Sequence, residues 1–72
     1  MTRYLNRSGN SPIVGYEIEA TSILVRFNTG RTYTYTYGSA GSANIENAKQ
    51  LAIAGRGLSA FITRNMRDKY VR

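Results

Sequence analysis

Between Arg31 and Tyr37 the chain reads RTYTYTY, with three tyrosines and three threonines in strict alternation. A period of two belongs to an extended strand, whose successive side chains leave on opposite faces. It puts Tyr33, Tyr35 and Tyr37 on one face and Thr32, Thr34 and Thr36 on the other. Rings and β-branched side chains both pack well on a pleated surface. A fold class follows from this strand, and the rest of the chain is read around it.

Upstream, residues 1–11 read as a flexible lead, because Ser8, Gly9, Asn10 and Ser11 offer no apolar surface to bury. A single domain is expected over residues 12–70. Pro12 suits the first residue of a strand, where a missing N–H matters least. The first strand runs from Ile13 to Ile18. Val14, Tyr16 and Ile18 share one face, and Ile13, Gly15 and Glu17 share the other. Gly15 inside it predicts a bulge or a close neighbour. The second strand runs from Ser22 to Asn28, with Ile23, Val25 and Phe27 on one face. Asn28-Thr29-Gly30 is a short turn in which Gly30 can take a positive φ. Connections this short predict an antiparallel meander.

The period changes after Tyr37. Gly38 to Ser42 reads as a loop, with Ser42 as helix N-cap and Asn44 as the competing choice. Ile45, Ala48, Leu51 and Ala52 recur at helical spacing, and Gly55 is the expected stop. Arg56 and Gly57 link to a second helix with the stripe Leu58, Phe61, Ile62, Asn65 and Met66, fraying near Asp68 to Tyr70. The expected class is α+β: a three-stranded antiparallel β-meander followed by two α-helices packed on one sheet face, in the order β-β-β-α-α. The expected core is Ile23, Val25, Phe27, Ile45, Leu51, Leu58, Phe61 and Ile62. A domain of this length buries only roughly 60% of its unfolded surface, so that core has little to spare.

The order and spacing of these residues resemble the KTSC family, a short bacterial domain found at the C-terminus of some lysyl-tRNA synthetases and as a stand-alone protein. The resemblance covers roughly residues 11–70. It opens with Ser11-Pro12-Ile13 and Gly15-Tyr16-Glu17 and continues through Ile23, Val25, Phe27, Thr29-Gly30 and Tyr33-Thr34-Tyr35. It closes with Gly57, Phe61, Asn65, Arg67 and Tyr70. No single motif is specific, but their order is. The chain departs from the family after Tyr35, where Gly38 to Ser42 stands in place of a Val-Pro step into the first helix. The resemblance implies that Gly15, Tyr16, Gly30, Tyr33, Tyr35, Phe61, Asn65 and Tyr70 are motif residues with structural roles. It also implies RNA binding, the function usually suggested for this family.

Residue inventory argues against an enzyme. The chain has no histidine and no cysteine, which removes Ser–His and Cys–His nucleophilic pairs, disulfides and thiolate metal sites. Glu17, Glu19, Glu46 and Asp68 are the only carboxylates, too few and too scattered for a metal set. Glu17 and Glu19 could act in general acid/base chemistry only if one were buried, and an acidic pair facing solvent is the plainer reading. Gly55-Arg56-Gly57 lacks the strand–glycine–lysine context of a phosphate loop. No cofactor and no metal are expected. No apolar run approaches the ~20 residues of a membrane span, and MTRYLNRSGNS has no apolar signal core. A cytoplasmic location fits the absence of cysteine.

The net charge of +6 favours polyanions as partners. Arg56, Arg64, Arg67, Lys69 and Arg72 face a single acid, Asp68, in the C-terminal stretch. Arg64 and Arg67 are three apart, so on a helix both can reach one phosphate backbone. Arg56 precedes a helix N-terminus, which attracts anions. The tyrosines allow two readings. An exposed aromatic sheet face can stack unpaired bases, yet two helices need a sheet face to cover. Tyr33 and Tyr35 are assigned to the core, while Tyr37 at the strand end is left for stacking and Arg31 for solvent. The expected function is thus a small non-enzymatic RNA-binding module, acting through Arg31, Arg56, Arg64, Arg67, Lys69 and Tyr37, with a tRNA-like ligand as one form. The alternative is a protein-interaction or self-association module pairing through an exposed sheet edge.

Overall fold

A computed structural model describes all 72 residues. The class is α+β, built on one antiparallel sheet in the order β1-β2-β3-β4. The strands are β1 (Thr2–Arg3), β2 (Ile13–Glu19), β3 (Ser22–Phe27) and β4 (Thr32–Thr36). The helices are α1 (Tyr37–Ala40), α2 (Ser42–Ala54) and α3 (Leu58–Asn65). The expected three strands and two helices are therefore four and three. The extra strand is two residues long, too short to carry a period, and the extra helix is a single turn. No helix is long and apolar enough to cross a membrane.

Pairing explains which sheet face becomes the core. Residues directly opposite one another project to the same side. Tyr16↔Val25, Val25↔Tyr33 and Ile23↔Tyr35 thus share one face. Ile13 has the wrong parity to join Tyr16, but the register slips between Ile13 and Gly15, so that Ile13 faces Phe27 and Gly15 faces Arg26. This bulge, expected at Gly15, rotates Ile13 into the core, where it is buried. Gly15 also meets a close neighbour, since a Cβ there would lie 3.2 Å from the Thr2 carbonyl oxygen.

The alternation of tyrosine and threonine ends one residue early. Thr36 Oγ1 accepts from the Ser39 N–H at 3.0 Å, and Ser39 Oγ accepts from the Thr36 N–H at 2.9 Å. This reciprocal capping box starts α1, so Tyr37 opens a helix and leaves the face shared by Tyr33 and Tyr35. The expected loop over Gly38 to Ser42 is mostly this turn. Gly41, at φ 92°, ends α1 and begins α2, so it replaces Ser42 and Asn44 as the N-cap. Asn44 instead donates from Nδ2 to the Ala40 carbonyl at 2.8 Å. Gly55 closes α2 in the left-handed region, as expected, and its N–H reaches the Leu51 and Ala52 carbonyls.

The core contains Ile13, Ile23, Val25, Tyr35, Ile45, Leu58, Ile62 and Met66, with Tyr4 and three alanines. Of the expected core, Phe27, Leu51 and Phe61 are only half-buried and pack against its margin. The α3 stripe is the reason. Its buried residues are Leu58, Ile62 and, just past the helix, Met66, at steps of four, which puts Phe61 on the flank and Asn65 in solvent. Residues 1–11, read as a flexible lead, supply β1 and the buried Tyr4, whose hydroxyl accepts from the Leu58 N–H at 3.4 Å. Arg7 covers the end of α2: its Nε donates to the Ala54 carbonyl at 2.9 Å and its N–H to the Gly55 carbonyl at 2.8 Å. A cation there also complements the helix dipole.

Candidate nucleic-acid interface

One open cleft combines rings with charge. Its floor is the apolar sheet face at the β3–β4 hairpin, with Phe27, Tyr33 and Tyr35. Its wall is α3, where Ser59, Ile62 and Thr63 recur at helical spacing. Arg67, Asp68 and Tyr70 close it, in a volume of about 270 Å³. The chain can return to the sheet because α3 stops at Asn65 and a turn follows, with the Lys69 N–H donating to the Met66 carbonyl at 3.0 Å. The Val71 N–H then donates to the Thr34 carbonyl at 2.7 Å, which pins Tyr70 against β4.

The rings interlock. Tyr33 and Tyr70 lie 4.7 Å apart between centroids at 60°, and Phe27 meets Tyr33 edge-on at 5.5 Å. Tyr35 meets Tyr70 edge-on at 6.1 Å. Such tilted pairs are the favoured aromatic arrangement. Tyr35 is buried beneath, while Tyr33 and Tyr70 remain half-buried and so present part of their rings to the cleft. The Arg72 guanidinium carbon lies 5.0 Å from the Tyr70 centroid, a cation–π contact. Burial pushes the Tyr35 phenol up to about 12, with the neighbouring Tyr33, Tyr70 and Asp68 adding to the effect. At neutral pH it is a protonated donor.

The expected site residues do not form one cluster. Arg64 is exposed in the last turn of α3, but Arg67 lies beyond the helix, because Met66 leaves helical geometry at φ −135°. The shared helical face expected of Arg64 and Arg67 is therefore absent, and Arg67 joins the aromatic cleft instead. Lys69 is exposed in the following turn. Arg31 is exposed at the hairpin, where its carbonyl accepts from the Phe27 N–H at 2.8 Å. Arg56 is exposed between Gly55 and Gly57. Tyr37 is half-buried on α1; its hydroxyl donates to Glu46 Oε2 at 2.7 Å, and Lys49 Nζ lies 5.8 Å from its ring centroid. That hydrogen bond is the main reason the Tyr37 phenol is raised above its ordinary value.

The motif residues fall mostly in the framework. Gly15 sits at the bulge, Tyr16 pairs with Val25, and Gly30 turns the hairpin at φ 90° with its N–H on the Phe27 carbonyl. Phe61 and Asn65 lie on α3, where Asn65 Nδ2 donates to the Phe61 carbonyl at 3.1 Å. Tyr33, Tyr35 and Tyr70 make the cleft. Sequence reasoning overlooked Phe27 and Asp68 as cleft residues, and it overlooked the meeting of Tyr70 with Tyr33. The only signal for Asp68 was its isolation as the single acid of a basic segment. Comparisons with protein-family models, with curated proteins and with solved structures give no match.

Proposed function

We propose that the protein is a non-enzymatic module, of the kind found in KTSC domains, that binds single-stranded RNA in the cytoplasm through the cleft between β4 and α3. The observation that carries this reading is the grouping of half-buried Tyr33 and Tyr70 with Arg67 in one open cleft, on a chain of net charge +6. Unpaired bases stack on aromatic faces, and a neighbouring guanidinium meets the phosphates. The contact set differs from the one expected of a basic helix: Arg67 and Arg72 stand by the rings, while Arg64 acts only through long-range attraction.

The test is fluorescence anisotropy of a labelled single-stranded RNA across a salt series. Each phosphate contact contributes about −0.7 to the slope of log K against log salt. Arg67→Ala should weaken binding and flatten the slope by roughly that amount. Unchanged affinity and slope in a folded Arg67→Ala protein would sink the reading.

A second reading draws on the sheet edge. β1 pairs only with Gly15 and Tyr16, so the outer edge of β2 over Glu17 to Glu19 has no neighbouring strand. An extended segment of another protein, or of a second copy, could pair there. Sedimentation showing a concentration-dependent dimer that does not respond to RNA would favour this reading.

A further inference from the structure

The cleft contains an acid, which is a poor neighbour for a phosphate chain and therefore calls for a reason. Asp68 follows Arg67 on the same rim, and neither ion pair of the structure uses it, since these join Lys49 to Glu46 and the Met1 ammonium to Glu17. Asp68 lines the same cleft as Tyr33, Tyr35 and Tyr70, so the carboxylate and the rings border one space. A carboxylate is an acceptor only, with two oxygens side by side. Among the common RNA bases, guanine alone brings two adjacent donors, N1–H and N2–H, on one edge. Adenine and cytosine each set an exocyclic amine beside a ring acceptor that a carboxylate repels. Uracil sets one N–H between two carbonyls. Unpaired bases are read on these edges while they stack.

We infer that the cleft selects guanine, with Asp68 accepting from N1–H and N2–H of a base stacked on Tyr70, the tilted Tyr33 ring bordering it, and Arg67 meeting the flanking phosphate. The inference rests on the RNA-binding reading above and adds the base that the site takes. It also explains the adjacent Arg67-Asp68 pair, in which one side chain is charged for the backbone and the other for the base edge.

The experiment uses the full chain and single-stranded uridine nonamers with one central guanosine, inosine, adenosine or cytidine, beside the all-uridine nonamer. A good bidentate contact discriminates by about 5- to 150-fold, so the guanosine nonamer should bind tighter than the others by a factor in that range. Inosine, which lacks the N2 amine, should fall between guanosine and uridine. Asp68→Asn should abolish the guanosine preference, and a folded variant that still prefers guanosine would overturn the assignment. Asp68 is exposed, and a thermal melt of the variant checks that its fold is kept. Equal binding of all nonamers, still weakened by Arg67→Ala, would overturn the guanine assignment and leave the RNA reading standing. Absence of binding to every nonamer would overturn both.

Discussion

Lys49 Nζ, on a residue only 8% exposed, lies 2.9 Å from Glu46 Oε2 and donates to the Ala20 carbonyl at 3.0 Å. One ammonium thus ties α2 to the turn between β2 and β3. Glu46 also accepts from Tyr37, the first residue of α1, so a single carboxylate joins two helices. Both contacts hold the Glu46 carboxyl below its ordinary value of 4.5, with the Lys49 hydrogen bond the larger cause. A depressed carboxylate contributes stability above its unfolded pKa and loses it as pH falls through the folded one. Wild type should therefore melt higher than Glu46→Gln at pH 7, and the gap should close as the pH is taken below about 4.5. Parallel melting curves across that range would contradict the linkage.

Tyr35 should limit alkaline stability. Its phenol is held up to about 12, so the folded state keeps a proton that the unfolded chain releases near 10. Stability from this group is complete below pH 10 and is lost progressively as pH rises from there toward 12. Tyr35→Phe should show a shallower alkaline loss than wild type, followed by circular dichroism, and in wild type one phenolate should form only as the fold is lost.

Core substitutions on α3 should rank by burial. Leu58 is wholly buried whereas Phe61 is half-buried on the flank. Leu58→Ala should cost ~2–5 kcal/mol, close to the whole stability of so small a domain. Phe61→Ala, although it removes more atoms, should cost less, because its site stays open to solvent. Urea denaturation of the two variants gives the order directly, and the reverse order would place Phe61 in the centre.

Gly55 and Gly30 both hold a positive φ, at 78° and 90°. Alanine at either position is strained by ~1–2 kcal/mol for the left-handed backbone. Only at Gly55 does space run out as well: an added Cβ would lie 2.6 Å from Leu5 Cβ, whereas nothing is within 4 Å at Gly30. Gly55→Ala should therefore destabilise clearly more than Gly30→Ala in urea. Equal losses would mean that the strand lead carrying Leu5 moves aside freely.

Stacking should follow the cleft. Tyr70→Ala should cost ~1–3 kcal/mol of RNA affinity with the salt slope unchanged, as loss of a base platform does. Tyr37→Ala, whose hydroxyl is engaged by Glu46, should lower thermal stability and leave the affinity of the folded protein near wild type. Anisotropy titrations at several salt concentrations separate the two effects.

What the sequence alone determined had a local cause in each case. The alternation at Thr32 to Thr36, the bulge at Gly15, the hairpin at Gly30 and the helix stop at Gly55 each rest on one residue's conformational range or on a short period. The tertiary structure decided what depends on distant partners. β1 has no period of its own and exists because β2 offers an edge, and Tyr4 becomes core because its N–H on the Val14 carbonyl holds it beside β2, with its hydroxyl reaching the Leu58 N–H. Tyr37 left the strand for a local reason that the alternation masked, since Thr36 and Ser39, three residues apart, form a capping box that starts a helical turn there. The assembly of Arg67, Asp68 and Tyr70 beside Tyr33 joins segments more than thirty residues apart. No local rule in the chain encodes it, because it follows from where α3 ends on a sheet face already fixed by pairing.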